Sequence, residues 1–309
     1  MLRLSRIKHL VALLKRGAQP SISRYLTDGT TKIPPEIERR AHVGNEWDDH
    51  WAAITEEFRL HPMSFLRQPV ISRTVHPNQQ DLACAYLDEL SNEPFARENI
   101  LPRLSDVPIG DPYLCEVFPL ASPISIQHAY YLFLIKKHLD LFIPEGELCH
   151  ILELGGGYGN FCRLACDFGY TGRYVIADLP EMHSIQSHFL RHALPQRMAK
   201  KPVEFRSLND PAILSDQRPS LFLATFSLSE MPLAKRTEIE DYYRHFDYVF
   251  FAYNSAFSSV DNLAYFDELR NRLNDSFDTQ AFQDKHRLAW FLLGRCRSLA
   301  TADARYEKN

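Results

Sequence analysis

The chain has 309 residues, 45% of them apolar and 24% charged, which are ordinary globular values and enough for a substantial buried core. Its formal net charge of −4 offers no basic footprint, so no nucleic-acid partner is expected. The most apolar run, residues 129–135, is too short for a membrane span, and six cysteines without a CxxC pair suit a reducing, cytoplasmic setting.

Along the chain, Arg3, Arg6, Lys8, Lys15, Arg16 and Arg24 precede the first acid, Asp28. A solvated terminal helix is the preferred reading, ahead of a basic amphipathic helix resting on anionic lipid. Residues 1–120 then read as a helical region and a Pro-rich connector. Trp47, Trp51, Ile54 and Phe58 form one helical stripe that Asn45 can cap, and Leu82, Tyr86 and Leu90 repeat that spacing. Five prolines between 101 and 125 break any regular element. Residues 121–145 predict a linking helix, apolar nearly all round at its middle and therefore buried.

From 146 to 309 the texture changes to short apolar runs alternating with helical patterns. Strands are predicted at 149–154, 173–179, 202–208, 221–228, 248–254 and 288–295. Helices follow the first (Phe161, Leu164, Ala165 and Phe168 inward, Gly169 as the stop), the second (opened by Pro180) and the fourth (started by Pro232), and another carries Leu263, Phe266 and Leu269. Such alternation specifies an α/β fold, a Rossmann-like, mostly parallel sheet covered on both faces.

The segment "ILELGGGYGN" (151–160) places four of the chain's 12 glycines within five positions, between a strand and a helix start. A nucleotide-like ligand approaches there, because glycines clear the backbone and free amides point outward. One strand later Asp178 stands where a carboxylate can accept both hydroxyls of a ribose. No lysine follows Gly159, so a triphosphate loop is excluded, and a dinucleotide fingerprint fails at Asn160, where its third glycine belongs. Glu153, Gly155, Gly157, Gly159 and Asp178 fit instead the E-x-G-x-G-x-G pattern of class I S-adenosylmethionine-dependent methyltransferases. A cationic sulfonium with an ammonium group calls for carboxylates nearby.

With "SPISIQHAYYL" (122–132), "YVIADLPEM" (174–182) and "FSLSEMP" (226–232), the chain resembles more narrowly the sugar O-methyltransferases of bacterial polysaccharide and glycolipid gene clusters. The likeness runs over residues 119–255. It implies a seven-stranded sheet whose last strand is antiparallel, with an N-terminal helical lid. It also implies transfer of a methyl group from S-adenosylmethionine to a hydroxyl of a glycan, nucleotide-sugar or glycolipid, leaving S-adenosylhomocysteine. Glu153 and the turn Gly155, Gly156, Gly157, Tyr158 and Gly159 are then expected at the donor's amino-acid tail. Asp178 is expected at the ribose, Leu179 at the adenine edge, and Ser207 or Asn209 at the adenine amine. Tyr158 either shields the sulfonium or packs outward. Ser227 opens the segment that superfamily geometry turns towards the transferring methyl.

Ser229 occupies the place where many small-molecule O-methyltransferases carry a histidine base, so that mechanism does not transfer directly. Glu230 is the first candidate base, with helix capping as its structural alternative. His128, on the linking helix, is the second, and His183 the third. Tyr130 and Tyr131 read as helix core, Tyr131 being also a sugar-stacking candidate. No carboxylate pair ends strands four and five, so no metal is expected. The rival readings are methylation of a phenolic or polyketide hydroxyl, a nucleotide-dependent oxidoreductase, and a non-catalytic partner. Homo-oligomerisation stays open.

Overall fold

A computed structural model describes residues 46–143, 148–215, 217–287 and 289–299, the side chains of 46–49 excepted. The basic N-terminal segment, Asn45 as a cap and the Trp47 side chain lie outside these. The chain divides into two compact units. One comprises residues 1–133, 157–167 and 180–200, the other 134–156, 168–179 and 201–309. Residues 157–167 and 180–200 thus group with the N-terminal helices and not with the strands that precede them in the chain.

The first unit is helical: α1 (Glu46–Leu60), α2 (Pro69–Val75), α3 (Gln80–Asn92), α4 (Pro94–Asn99), α5 (Pro123–Leu139, which leaves this unit after Phe133), α6 (Asn160–Asp167), α7 (Pro180–Ala193) and α8 (Pro195–Lys200). Proline at the first turn of α2 and α4 occupies a position that needs no amide. The Glu57 carboxylate accepts from the Val70 and Ile71 amides at 2.9 and 3.0 Å, capping α2 from α1. Ile54 and Phe58 are buried as their stripe predicts, and so are Tyr86 and Leu90. The regrouping has a packing cause. Phe65 meets Tyr158 and Phe189 edge-on, with centroids 6.1 and 6.4 Å apart, and Phe58 meets His188 at 5.3 Å. The connector holds one short 3-10 turn, Leu101–Arg103, and is tied down at Asp106, whose amide donates to Leu120 O at 2.7 Å.

The second unit holds β1 (His150–Leu154), β2 (Arg173–Ala177), β3 (Glu204–Arg206), β4 (Ser220–Thr225), α9 (Leu233–Tyr243), β5 (Tyr248–Tyr253), a small hairpin β6 (Ala256–Phe257) and β7 (Val260–Asp261), α10 (Asn262–Leu273), β8 (Phe277–Gln283) and β9 (Trp290–Cys296). Seven strands form one sheet in the order β3-β2-β1-β4-β5-β9-β8. Strands β1 to β5 run parallel, and β9 is antiparallel to both neighbours. This is a Rossmann-like, mostly parallel sheet whose last strand in the chain is reversed. β1 and β5 are buried along their whole lengths. One face packs Leu152, Val175, Phe222 and Phe251 against Ile239 and Tyr243 of α9 and Phe266 and Leu269 of α10. Apolar burial of this kind stabilises by about 25 cal/mol per Å² removed from water.

The sequence pattern overextends β3 and misses β8. β8 is an edge strand with a polar, half-exposed pattern, so its apolar periodicity is weak. Among the described residues, no helix is long and apolar enough to cross a membrane.

Candidate functional site

In the sheet unit, β1 and β4 are neighbours although β2 and β3 intervene in the chain, so the switch point lies between them. β1 delivers Glu153 to the face opposite Leu152 and Leu154. Its side chain is fully buried, and the Tyr174 hydroxyl donates to Oε2 at 2.7 Å. Desolvation pushes this carboxyl up to about 7. The Tyr174 hydrogen bond pulls against that rise, and the nearby Asp178 charge adds to it.

The turn then leaves β1. The Gly155 amide donates to Ala177 O at 2.9 Å, which ties the turn to β2. Gly155 has φ +67°, and a Cβ there would lie 2.4 Å from the Ser227 Cβ. A Cβ on Gly156 would lie 2.8 Å from Ile176 Cγ2 and 3.3 Å from Glu153 Oε2. Bareness at 155 and 156 therefore serves the protein's own close packing, not ligand access alone. The Ser227 hydroxyl closes the arrangement by donating to Leu154 O.

Asp178 follows β2 and is half-buried, with its amide donating to Arg206 O at 3.1 Å. Its Oδ1 accepts from the Leu179 amide at 2.8 Å. Leu179 is 40% exposed, an unusual setting for leucine, while Ser207 and Asn209 are exposed beyond β3.

After β4 the backbone folds sharply. Phe226 has φ +67°, a strained conformation for a non-glycine residue. Three hydrogen bonds hold it: its amide donates to Ala252 O at 2.7 Å, and its carbonyl accepts from the Ser229 hydroxyl at 2.7 Å and the Glu230 amide at 3.1 Å. A 3-10 turn, Leu228–Glu230, follows, with Ser229 buried and Glu230 exposed. Although Glu230 reaches the surface, desolvation raises its carboxyl above the usual range. Asn254 Nδ2 lies 3.5 Å from Oε1. Thus the sheet unit carries Glu153, Gly155, Gly156, Asp178, Leu179, Ser207, Asn209, Ser227 and Glu230.

The remaining candidates belong to the helical unit. Gly157 (φ +54°) accepts from Gln186 Nε2 at 2.9 Å through its carbonyl, and Gly159 has φ +95°. Tyr158 is buried, edge-on to Phe189 at 4.9 Å and to His76 at 5.7 Å, which is the packing alternative. His76 Nε2 accepts from the Tyr113 amide at 3.1 Å, so its proton resides on Nδ1, 3.5 Å from the Tyr158 hydroxyl.

Asn160, buried where a dinucleotide site needs glycine, is a hydrogen-bonding hub. Its Oδ1 accepts from Arg163 Nε and Nη2 at 3.1 and 2.9 Å, which fixes the amide orientation. Its Nδ2 then donates to Ser125 Oγ at 3.0 Å and to His128 Nδ1 at 3.2 Å. His128 is thereby held neutral with its proton on Nε2. Desolvation, reinforced by the Arg163 charge, lowers it to about 3. Arg163 itself is buried and paired with Asp106 at 2.8 Å and Asp167 at 2.9 Å. Tyr130 stacks on Tyr86 with centroids 4.1 Å apart, Tyr131 accepts from Gln127 at 2.7 Å, and both tyrosines are buried core residues. His183 is half-buried on α7.

Sequence reasoning missed Arg236. It shares a helical stripe with the buried Ile239 and Tyr243, and a charge on such a stripe was the available signal. Among the described residues, no group of three or more His, Cys, Asp or Glu side chains could hold a metal ion.

No family model matches this chain, and no curated protein matches it in sequence. Solved structures do match in part. A Thermoplasma acidophilum protein is 13% identical, with 56% of this chain and 90% of that one covered and a TM-score of 0.38. A precorrin-6y C5,15-methyltransferase from Geobacter metallireducens is 10% identical over 53% and 86% of the two chains, with a TM-score of 0.36. An rRNA methylase from Streptococcus thermophilus is 9% identical over 57% and 98%, with a TM-score of 0.39.

Proposed function

We propose that the chain is an S-adenosylmethionine-dependent O-methyltransferase whose acceptor is a sugar hydroxyl. The observation that carries this reading is the pair of carboxylates at the ends of adjacent strands, Glu153 and Asp178, close enough that the Asp178 charge helps to raise the Glu153 carboxyl. Such a pair suits a cationic donor and repels a pyrophosphate. The donor fits these residues, and when bound it supplies a methyl group already activated by the sulfonium charge.

The chain's own residues then have separable tasks. Glu153 with Gly155 and Gly156 holds the amino-acid tail, Asp178 accepts from the ribose hydroxyls, and Leu179 covers the adenine edge. Ser207 or Asn209 meets the adenine amine. Glu230 takes the proton of the acceptor hydroxyl as its oxygen bonds to the methyl carbon and the carbon–sulfur bond breaks. A desolvated carboxyl is a better base than an ordinary one, which supports Glu230. His128 is disfavoured, because Nδ1 already accepts from Asn160 and Nε2 carries the proton.

Adenosylhomocysteine should raise the melting temperature and NADP(H) should not. Labelled adenosylmethionine should mark sugars or nucleotide-sugars and leave phenolic aglycones and RNA unlabelled. Marking only aglycones or only RNA would overturn the acceptor, and absence of donor binding would overturn the whole reading. Glu230→Gln should cut kcat at least a hundredfold with donor affinity kept, a general-base contribution of about 10²–10⁴. Turnover should survive a chelator.

A further inference from the structure

Arg236 is fully buried on α9. Among the described residues no carboxylate pairs with it, and its guanidinium donates only to neutral acceptors. Nε donates to Met231 O at 2.9 Å and Nη2 to Ser229 O at 2.6 Å, the carbonyls on either side of Glu230. Nη1 donates to Asn262 Oδ1 at 2.8 Å, and the cation lies over the Tyr265 ring, 4.6 Å from its centroid. A buried cation is costly to keep, so its targets must repay the desolvation.

An arginine has donors and no acceptor, and this sets the polarity of everything downstream. Asn262 must present its oxygen to Arg236, which turns its Nδ2 to Asn254 Oδ1 at 2.5 Å. Asn254, with its oxygen so engaged, must aim its own Nδ2 at Glu230 Oε1, 3.5 Å away. Neither amide can flip without setting donor against donor. The same guanidinium thus grips the backbone beside Glu230 and orients an amide directed at its side chain.

We propose that Arg236, Asn262 and Asn254 form a one-way hydrogen-bond relay that occupies Glu230 Oε1 and leaves Oε2 as the oxygen that takes up a proton. They are positioning residues, and their role in turnover rests on the reading of Glu230 as general base. The last link is long while Glu230 is unengaged and contracts towards 2.7–2.9 Å, roughly, when the carboxylate is fully charged. Titratable groups around the relay, among the described residues, include Tyr265 beneath Arg236, Tyr243 close to Tyr265, and Glu240, which accepts from Tyr265 at 3.5 Å and pairs with Arg272 at 2.8 Å.

The deciding variants sit at half-buried Asn254, since replacing fully buried Arg236 threatens the fold itself. In the full-length protein, carbon-13 carboxyl NMR follows Glu230, assigned by the resonance lost in Glu230→Gln. Asn254→Ala removes the donor and should raise the Glu230 titration midpoint. Asn254→Asp sets a like charge against Oε1 and should raise it further, by about one pH unit or more. Asn254→Gln should return it towards the wild-type value. Identical midpoints in wild type, Asn254→Ala and Asn254→Asp would overturn the relay. In turnover the acidic limb of the kcat profile should move with the midpoint while the donor KM stays fixed. A Glu230→Gln protein with wild-type turnover would overturn the catalytic reading even if the midpoints move, so the two failures are told apart.

Discussion

Glu153→Gln tests whether the fold carries a carboxyl that it resists ionising. The displacement from 4.5 to about 7 corresponds, at about 1.4 kcal/mol per pH unit, to about 3 kcal/mol. The sign follows from proton counting. Between those values the folded chain holds a proton that the unfolded chain has released. The contribution is therefore fully present below 4.5 and lost as pH rises through about 7. Glutamine keeps an oxygen for the Tyr174 hydroxyl and has no charge to desolvate. Denaturant unfolding of wild type and variant at pH 5 and pH 8 should show the variant's relative stability growing by about 2.5 kcal/mol between the two pH values. The variant should meanwhile bind adenosylhomocysteine more weakly. A stability difference that is the same at both pH values would refute the reasoning, because Glu153 would then titrate like an exposed glutamate.

Three further outcomes are expected. Asp178→Ala should weaken adenosylhomocysteine binding by about 10–100-fold, read by calorimetry, with little change in melting temperature, since it loses hydrogen bonds made by a charged acceptor. Gly155→Ala should cost about 2–4 kcal/mol in denaturant unfolding, from the left-handed backbone and the overlap with Ser227, and adding Ser227→Gly should recover the overlap part. Asp106→Ala should cost about 3–5 kcal/mol in denaturant unfolding by leaving buried Arg163 without its best-buried partner, whereas breaking the solvent-screened Arg59–Glu56 pair should leave the unfolding curve nearly unchanged.

Much of the fold could be read in advance because buried parallel strands are written as continuous apolar runs. β1, β2 and β5 each fall within their expected stretch, β4 begins one residue before its own and stops three residues short of its end, and Pro180 and Pro232 punctuate the helices as their chemistry requires. β8 escaped because an edge strand needs no such run, and β3 was drawn too long because apolar flanks do not guarantee pairing. The cluster around Glu153 and Asp178 was visible through motif spacing. The uses of the individual glycines were not, since Gly155 answers to Ser227, far away in sequence. Asn160 looked merely like a failed glycine and proves to be a junction for Arg163, Ser125 and His128. Polar networks of this kind join residues with no common period, and only the folded backbone brings them together.

The seat of Ser227 on Gly155 makes two loops a single mechanical part. A bulkier side chain at 227 would have to lift the β1 turn, and any side chain at 155 would have to push the β4 turn away. Positions 155 and 227 can therefore change only together, each setting the room that the other has.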